Sequence, residues 1–342
     1  MTAQATNVRV AVVGCGVFGR NHARVYRQLQ QEGAGVKFVG VFDSDSERAS
    51  GVALEFGTEA FTSIGNLRGK IDAASIAVPT IHHLSSAREI MDGGADVLVE
   101  KPVASTLVDA DELIAVASRT GRIAQVGHLE RFNPAVIATV PLVTQPMFFE
   151  VHRLSVFTPR SLDVDVVMDL MIHDLDVVLS LVKSPVREIR AVGLPVISDK
   201  VDIANVRIEF ETGCVANFTA SRVSTEKVRK LRFFQPHEYI SVDYGRQDVI
   251  SISVDERAAS ALLRGEIPAA GLGPAPGIAL KKPNVEPREP LRTEIEAFLA
   301  SVRSRATPPV SLQDGRAALA LALKINQAIG QHHLRAGLGG IT

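Results

Sequence analysis

The sequence predicts an α/β protein of two domains, a doubly wound parallel sheet followed by an α+β domain with a mainly antiparallel, open sheet. The chain has 342 residues, which is more than one ordinary domain. Short apolar segments alternate with helical patterns up to about residue 127, as in parallel sheets covered on both faces. Beyond that point, segments with apolar–polar alternation indicate an antiparallel sheet.

Five strands and four helices are predicted in the first domain, which we place at residues 1–127. The strands are expected at Val8–Val13, Val36–Phe42, Ala73–Val78, Asp96–Val99 and Ile123–Val126. The helices are expected at Gly19–Gln31, Ser46–Phe56, His83–Gly93 and Leu107–Thr120. In such a sheet the carboxyl ends of the strands lie at one edge, where ligands bind.

The second domain is placed at residues 128–310, with a helix from about 163 to 183. The stretch NVRIEFETGCVANFTASR alternates apolar and polar residues on both sides of Thr212-Gly213, which predicts an antiparallel hairpin. Glycine and proline are dense in residues 265–290, which indicates a long irregular loop. Helices are expected at Pro290–Ser304 and Leu312–Leu334, and residues 311–342 are expected to pack back near the first domain.

Composition argues against several kinds of partner. The formal net charge is −1, so nothing favours nucleic acid or an anionic membrane surface. Two cysteines do not suggest a disulfide framework. The N-terminus lacks the pattern of a signal peptide, and no apolar stretch is long enough to span a bilayer. We expect a cytoplasmic protein whose partner is a small molecule, with neither nucleic acid nor membrane.

A glycine motif joins the first strand to the first helix in VAVVGCGVFGRNHARVY. In Gly14-x-Gly16-x-x-Gly19, the first glycine allows the tight turn, the second lets the backbone approach a pyrophosphate, and the third lets helix and strand pack closely. The helix N-terminus then presents N–H groups to phosphates. The motif and its context predict a Rossmann dinucleotide site that includes Val17 and Phe18, rather than a glycine turn without a ligand.

Asp43 follows the second strand, in FVGVFDSDSER. A carboxylate there accepts hydrogen bonds from the ribose hydroxyls and repels a 2′-phosphate, which favours NAD over NADP. Arg48 could weaken that preference. The alternative interpretation of Asp43 is a helix-capping residue.

The third and fourth strands end in further polar residues. Val78, Pro79 and Thr80 lie at the carboxyl end of the third strand, and His83 begins the next helix. We expect these residues to line the cofactor site, with an ordinary polar helix start as the alternative for the histidine.

The fourth strand ends in Glu100-Lys101-Pro102, on the same sheet edge as the glycine loop. A lysine at this edge can reach the nicotinamide end of a dinucleotide and serve as an acid or base. Glu100 and Lys101 are therefore expected at the cofactor. The alternative is a solvated ion pair at a strand end.

The helix of the second domain carries Asp169 and His173, four residues apart and so on one face. A carboxylate one turn from an imidazole can fix its tautomer, and the imidazole can carry a proton near neutral pH. A solvated amphipathic helix and a metal site that includes Asp176 are the alternatives. We expect no metal, since hydride transfer to nicotinamide needs none.

Together GCGVFGRNHA, AVPT with its nearby histidine, and EKP resemble the glucose–fructose oxidoreductase and inositol dehydrogenase (Gfo/Idh/MocA) family of NAD(P)-dependent oxidoreductases over nearly the whole chain. The resemblance implies that Lys101 is the catalytic acid/base. It implies that Asp169 and His173 contact the sugar ring and complete the catalytic set. It also implies a cis Lys101–Pro102 bond, which is accessible because the residue after the bond is proline.

The resemblance implies further contacts in the region that follows the fifth strand. In GHLERFNPAV, His128 is expected to line the cofactor and Arg131 the substrate, with an interdomain ion pair as the alternative for the arginine. Arg153 and Arg160 are candidate contacts for a phosphate or carboxylate of the substrate. Ordinary surface arginines are the alternative.

The stretches GHLERFNPAV and MIHDLD also resemble the UDP-N-acetylglucosamine 3-dehydrogenase subgroup, which acts before transamination in lipid A precursor synthesis. We expect an NAD-dependent oxidoreductase that oxidises a ring hydroxyl of a sugar or sugar nucleotide. An inositol- or aldose-type polyol dehydrogenase and a non-catalytic NAD(H)-binding sensor are the alternatives. A sensor would not need Lys101, Asp169 and His173. Relatives associate through the second sheet, so a homodimer or homotetramer is expected.

Overall fold

A computed structural model describes residues 7–158, 164–255, 260, 264 and 278–338. The chain divides into two compact units. The first contains residues 1–132 and 289–320, and the second contains residues 133–288 and 321–342. Residues 289–310, which the sequence analysis assigned to the second domain, cluster instead with the first unit.

The first unit is built on a six-stranded parallel sheet in the order β3-β2-β1-β4-β5-β6. This order confirms the predicted doubly wound sheet. The strands are β1 (Val8–Val13), β2 (Val36–Phe42), β3 (Glu59–Phe61), β4 (Ala73–Ile76), β5 (Asp96–Glu100) and β6 (Ala124–Gly127). The helices are α1 (Val17–Gln31), α2 (Ser46–Phe56), α3 (His83–Asp92) and α4 (Leu107–Thr120). The short edge strand β3 was not predicted.

Capping residues explain why the bounds of α2 and α4 were predicted correctly. The side chain of Asp45 accepts a hydrogen bond from the N–H of Arg48 at the start of α2. Thr106 does the same for Asp109 at the start of α4. Both helices then end at a glycine in the left-handed conformation. Such caps satisfy N–H and C=O groups that have no partner inside the helix.

Two further helices lie late in the sequence, α7 (Pro290–Ser304) and α8 (Leu312–Arg335). Apolar residues of α7 are fully buried in one cluster with α1 and the strands β1 and β2. Tyr26 and Leu29 of α1 belong to this cluster, as do Ile295 and Phe298 of α7. Burying one large apolar side chain contributes about 1.5–3 kcal/mol, so α7 is an integral layer of the first unit.

The second unit is built on an eight-stranded sheet in the order β14-β13-β12-β11-β7-β10-β9-β8. All its strand pairs are antiparallel except β7 with β10, which confirms a mainly antiparallel sheet. The strands are β7 (Phe148–Val156), β8 (Val186–Leu194), β9 (Ile203–Phe210), β10 (Val215–Ser224), β11 (Val228–Gln235), β12 (Glu238–Asp243), β13 (Asp248–Val254) and β14 (Ile278–Lys281). A short helix, α5 (Pro134–Thr139), precedes them.

The predicted hairpin is confirmed as β9 and β10. Gly213 turns the chain with a φ of 82°, a conformation that favours glycine. Val206 and Ile208 are buried on one face of the sheet. Asn205 and Arg207, which alternate with them along the strand, are exposed. The period of two thus places one face of the sheet in the core.

The helix predicted from about 163 to 183 differs in its first half. Residues Val167–Met171 form one π-helical turn, and the regular helix α6 covers Ile172–Val182. Periodicity in apolar residues does not distinguish such a turn from an α-helix. Residues 159–163 lie outside the described part of the chain.

The predicted irregular loop 265–290 is described only from residue 278 onward. There, Ile278–Lys281 pairs with β13 as an edge strand, which the density of proline and glycine nearby had concealed. Among the described residues, no helix has the length and apolar content needed to cross a membrane.

Candidate active site

The functional edge of the first unit lies where β1 and β4 end side by side. Strand order reverses at this point, because the chain builds outward from β1 to β3 and then returns to the other side with β4. A Cβ added to Gly14 would lie 2.5 Å from the carbonyl oxygen of Ala77, so the two strand ends touch. Open α/β sheets bind their ligands in the crevice at such a reversal.

The glycine motif has the geometry that each position predicts. Gly14 has a φ of 97°, and a Cβ on Gly19 would lie 1.7 Å from the carbonyl oxygen of Gly14. A Cβ on Gly16, by contrast, would meet no protein atom within 4 Å. Gly16 is also the N-cap residue of α1. Because glycine has no side chain, it offers the N–H groups at the start of the helix no side-chain hydrogen bond. The space beside Gly16 and the uncapped helix start suit a pyrophosphate.

Asp43 connects the ends of β2 and β1. Its Oδ2 accepts a 2.6 Å hydrogen bond from the N–H of Cys15, and its Oδ1 accepts one of 2.9 Å from Asp45. The Arg48 guanidinium lies 3.5 Å from Oδ1 of Asp43. The carboxylate is therefore held by the glycine loop itself, which sequence reasoning about the ribose did not anticipate.

A cavity of about 470 Å³ opens between these strand ends. Its size and its mixture of glycine, apolar and charged lining residues fit part of a dinucleotide. The lining residues are Gly14, Gly16, Val17, Phe18, Phe42, Asp43, Ser44, Arg48, Ala77, Val78, Pro79, His82, Ser85 and Ser86. The exposed Val17 and Phe18 are 64% and 58% accessible, which leaves their apolar surface free for a ligand.

His83 links the ends of β4 and β5 rather than lining the cavity. Its Nδ1 lies 3.0 Å from the carbonyl oxygen of Pro102, and its Nε2 lies 3.0 Å from that of Val78. Burial lowers the pKa of His83, and these carbonyl groups oppose that shift only in part. Thr80 lies nearby in a 3₁₀ turn, Thr80–His82.

Lys101 stands at the end of β5, half-buried, and its bond to Pro102 is cis as predicted. The N–H of Lys101 donates a 3.2 Å hydrogen bond to Oε2 of Glu100. Oε1 of Glu100 lies 2.9 Å from Nε2 of His22, a fully buried residue of α1. Burial opposes ionisation of Glu100, but the hydrogen bond from His22 and the charge of Lys101 hold its pKa below its ordinary value.

His128 and Arg131 follow β6, and both belong to the first unit. His128 is buried and its N–H donates to the carbonyl of Val126. The Arg131 guanidinium donates a 3.2 Å hydrogen bond to the carbonyl of Pro309. The structure therefore places Arg131 against a neighbouring segment of its own unit.

In the second unit, Asp169 lies in the π-helical turn and His173 lies in the first turn of α6. Both are partly exposed, whereas Asp174 and Asp176 beside them are buried. π-helical turns are often found at functional sites. Among the described residues, Asp169, His173 and Asp176 do not form a group with the spacing of metal ligands.

Arg153 does not have the exposure that a substrate contact needs. Its Nε and Nη2 donate hydrogen bonds of 2.6 and 2.9 Å to the carboxylate of Asp174, and both side chains are nearly fully buried. Its guanidinium also lies over the Tyr244 ring, 5.3 Å from the centroid. Arg153 thus anchors α6 to β7. Arg160, the other predicted arginine, lies outside the described residues.

Sequence reasoning missed two buried residues beside Glu100. One nitrogen of His22 and one carboxylate oxygen each from Glu100 and Glu294 lie within 4.8 Å of one another. His22 was visible only as part of the glycine motif. Glu294 comes from α7, and no local pattern shows that this helix packs beside β5.

Comparison with known proteins agrees with this geometry. The model of the oxidoreductase family with an NAD-binding Rossmann fold matches residues 8–128. The GFO/IDH/MocA C-terminal domain matches residues 146–235. An oxidoreductase from Agrobacterium radiobacter, solved with NAD+, L-tartaric acid and magnesium, shares the fold with a TM-score of 0.79 at 16% identity, over 95% of this chain and 96% of that one.

UDP-N-acetylglucosamine 3-dehydrogenase from Acidithiobacillus ferrooxidans is 36% identical over 324 residues, which cover 94% of this chain and 97% of that protein. A solved structure of that enzyme has a TM-score of 0.85 and 34% identity, over 94% of this chain and 97% of that one. Inositol 2-dehydrogenase 1 from Saccharopolyspora erythraea is 32% identical over 194 residues, 52% of this chain and 56% of that protein. The chain therefore belongs to the Gfo/Idh/MocA family of NAD-binding oxidoreductases.

Proposed function

We propose that this oxidoreductase oxidises a ring hydroxyl of a nucleotide sugar, namely the 3-hydroxyl of UDP-N-acetylglucosamine. The similarity to the Acidithiobacillus enzyme over nearly the full length of both chains is the observation that carries the proposal. Inositol dehydrogenases are 28–32% identical over 50–64% of this chain, which makes a polyol the weaker candidate.

We propose that the cofactor is NAD rather than NADP. The loop of Gly14, Gly16 and Gly19 and the start of α1 would hold the pyrophosphate, and Asp43 would meet the adenosine ribose. A carboxylate at that place repels a 2′-phosphate, although Arg48 beside it reduces the repulsion. When bound, the dinucleotide supplies a nicotinamide that accepts a hydride from the carbinol carbon.

Lys101 is the proposed acid/base that takes the proton from the hydroxyl being oxidised. Its place directly after β5, beside the end of β4 and on the sheet edge that also carries the glycine loop, supports this role, since ligands bind at that edge. Asp169 and His173 are the proposed residues that bind and orient the sugar, and His173 can also relay the proton. Both lie in a helix whose first turn is irregular.

Turnover on a substrate panel tests the proposal. The protein is incubated with NAD or NADP and with UDP-N-acetylglucosamine, UDP-glucuronate, myo-inositol or glucose, and NAD(P)H is followed at 340 nm. We expect turnover with UDP-N-acetylglucosamine and NAD. Turnover with inositol alone would favour a polyol dehydrogenase, and NAD binding without turnover would favour a sensor.

Lys101→Ala tests the assignment of the acid/base. Loss of a general acid or base costs about 10²- to 10⁴-fold in rate, so kcat should fall by that factor while NAD binding is retained. Lys37→Ala is the control, because Lys37 is an exposed lysine of β2. A near-normal kcat in Lys101→Ala would refute the assigned mechanism.

Association through the second sheet is also proposed. One face of this sheet carries Phe148, Phe234 and Tyr239, whose rings pack side by side across strands β7, β11 and β12. Phe234 is 37% exposed within the single chain. Exposed aromatic residues of this kind are typical of subunit interfaces. Light scattering should show a dimer or tetramer, and Phe234→Asp should shift it toward the monomer.

A cytoplasmic location completes the proposal. Cys15 and Cys214 are both free thiols and both buried. Burial, with the charge of Asp43, raises the pKa of the Cys15 thiol to about 12, so the thiol beside the glycine loop stays protonated and unreactive. This thiol chemistry is compatible with a reducing compartment.

A further inference from the structure

A chain of buried hydrogen bonds runs from α1 through β4 to the end of β5. The hydroxyl of Tyr26 lies 2.9 Å from Oγ of Ser75, and this Oγ lies 3.0 Å from Nδ1 of His22. Nε2 of His22 lies 2.9 Å from Oε1 of Glu100. Tyr26, Ser75 and His22 are all fully buried. The carboxylate of Glu100 links this chain to the N–H of Lys101.

The direction of these hydrogen bonds follows from their chemistry. Glu100, whose pKa is lowered, accepts, so Nε2 of His22 carries the proton and donates it. In the tautomer that carries its hydrogen on Nε2, Nδ1 of His22 accepts from the hydroxyl of Ser75, and Ser75 accepts from the hydroxyl of Tyr26. Each proton is used once in this order. The imidazole orientation is thus fixed from both sides.

Glu294 of α7 borders the pair formed by His22 and Glu100. Its carboxylate oxygen lies within 4.8 Å of the His22 nitrogen and the Glu100 oxygen, and Glu294 is fully buried. Two negative carboxylates this close together repel each other, and a nearby N–H such as that of His22 reduces the repulsion. Burial raises the pKa of Tyr26, and the charge of Glu294 adds to this, so the tyrosine remains a donor.

We propose that His22 is a positioning residue for Lys101, acting through Glu100. The two carboxylate oxygens of Glu100 have different partners. Oε1 is hydrogen-bonded to His22, and Oε2 accepts a hydrogen bond from the backbone N–H of Lys101. The position of the Lys101 amine depends on the position of the Lys101 backbone and on the side-chain torsion angles. A displacement of about 1 Å at a reacting group can cost about 100-fold in rate. This inference rests on the proposed role of Lys101.

Substitutions at His22 separate positioning from simple packing. His22→Leu removes the donor to Glu100, whereas the amide of His22→Gln can still donate to it. We expect kcat to fall by about 10- to 100-fold in His22→Leu, with KM for the sugar and Kd for NAD changed less than about threefold. His22→Gln should recover part of the loss. Glu100→Gln should resemble His22→Leu, and adding His22→Leu to Glu100→Gln should cost little more.

Asp96→Asn is the matched control, because Asp96 is a buried carboxylate at the other end of the same strand. It accepts a hydrogen bond from Ile123 and forms an ion pair with Arg305. This variant should lose stability but keep its kcat. If kcat falls in proportion to the loss of folding stability in every variant, including Asp96→Asn, the proposal is wrong.

Hydrogen exchange at the amide of Lys101 gives a readout that needs no activity. This amide should exchange at least about tenfold faster in His22→Leu than in the unaltered protein, after correction for global stability, and His22→Gln should retain protection. Unchanged protection in His22→Leu would refute the proposal even if the protein turned over no substrate on the panel. Absence of turnover by the unaltered protein would refute the proposed function and leave this exchange test decisive.

Discussion

The N–H of Cys15 donates a 2.6 Å hydrogen bond to Oδ2 of Asp43, so the carboxylate after β2 holds the glycine loop after β1. One side chain therefore holds the shape of the loop and also carries the charge that we propose for the cofactor ribose. Substitutions that remove the charge and keep the acceptor can separate these two effects.

Asp43→Asn keeps an oxygen for Cys15 but removes the negative charge. We expect its melting temperature to stay close to that of the unaltered protein. The ratio of kcat/KM for NAD to that for NADP should fall by about tenfold or more, since one charge near a phosphate is worth at least about 1.4 kcal/mol. Asp43→Ala, which also frees the loop, should lose affinity for both cofactors. An unchanged cofactor ratio in Asp43→Asn would show that the charge does not set the preference.

Gly16→Ala should fold normally and bind NAD poorly. A Cβ at Gly16 meets no protein atom, and the backbone φ there is −65°, so the protein itself tolerates alanine. The methyl group would instead occupy the space proposed for the pyrophosphate, and the Kd for NAD should rise by about tenfold or more. Calorimetry measures both effects.

Two glycines serve as controls for Gly16. Gly14→Ala should destabilise the protein, because its Cβ would collide with Ala77 and its φ is positive. Gly51→Ala in α2, where the Cβ also meets nothing, should leave both stability and binding intact. If Gly16→Ala binds NAD normally, the pyrophosphate does not lie at this loop.

Breaking the pair of Arg153 and Asp174 should affect stability rather than substrate affinity. Removal of one partner leaves a buried charge, which costs about 3–5 kcal/mol. Arg153→Met should therefore lower the urea midpoint sharply, with KM for the substrate unchanged. Arg190→Met removes an exposed arginine that pairs with Glu188 and should leave the urea midpoint nearly unchanged, because exposed ion pairs contribute little to stability. If Arg153→Met raises KM and leaves stability normal, Arg153 is a substrate contact.

His83 should make the protein less stable at acidic pH. Burial lowers its pKa in the folded protein, so between the folded and unfolded pKa values the unfolded chain binds more protons. Stability must then fall as pH falls below about 6.5, the ordinary pKa of histidine, by up to about 1.4 kcal/mol per pH unit. The free energy of unfolding is measured for the unaltered protein and for His83→Gln between pH 7.5 and 5. The difference between the two proteins should change with pH, and a difference that is constant would contradict the prediction.

Local sequence signals predicted the first sheet well because its elements have local causes. Apolar runs, the caps Asp45 and Thr106, and the glycines that end α2 and α4 lie next to the elements that they define. The short edge strand β3 has three residues and carries no such signal. The parallel pairing of β7 with β10 joins strands far apart in sequence, so no alternation pattern could show it.

The candidate site was predictable where a motif marks a backbone shape. The glycine loop and the cis Lys101–Pro102 bond are of this kind. Side-chain partnerships were not predictable, because they depend on packing. Arg153 resembled an exposed anion-binding residue and proved to be buried against Asp174. Glu294 approaches Glu100 from α7, a helix far from Glu100 in the sequence.

The core of the first unit is completed by residues that are synthesised late, after the whole sheet of the second unit. Ile295, Phe298 and Leu299 of α7 are buried against α1 and the central strands, yet the whole of residues 133–288 comes before them. A nascent chain on the ribosome therefore carries an unfinished cofactor-binding half, with an apolar surface awaiting α7, until translation has passed residue 304. Expression of residues 1–132 alone would leave that surface permanently uncovered.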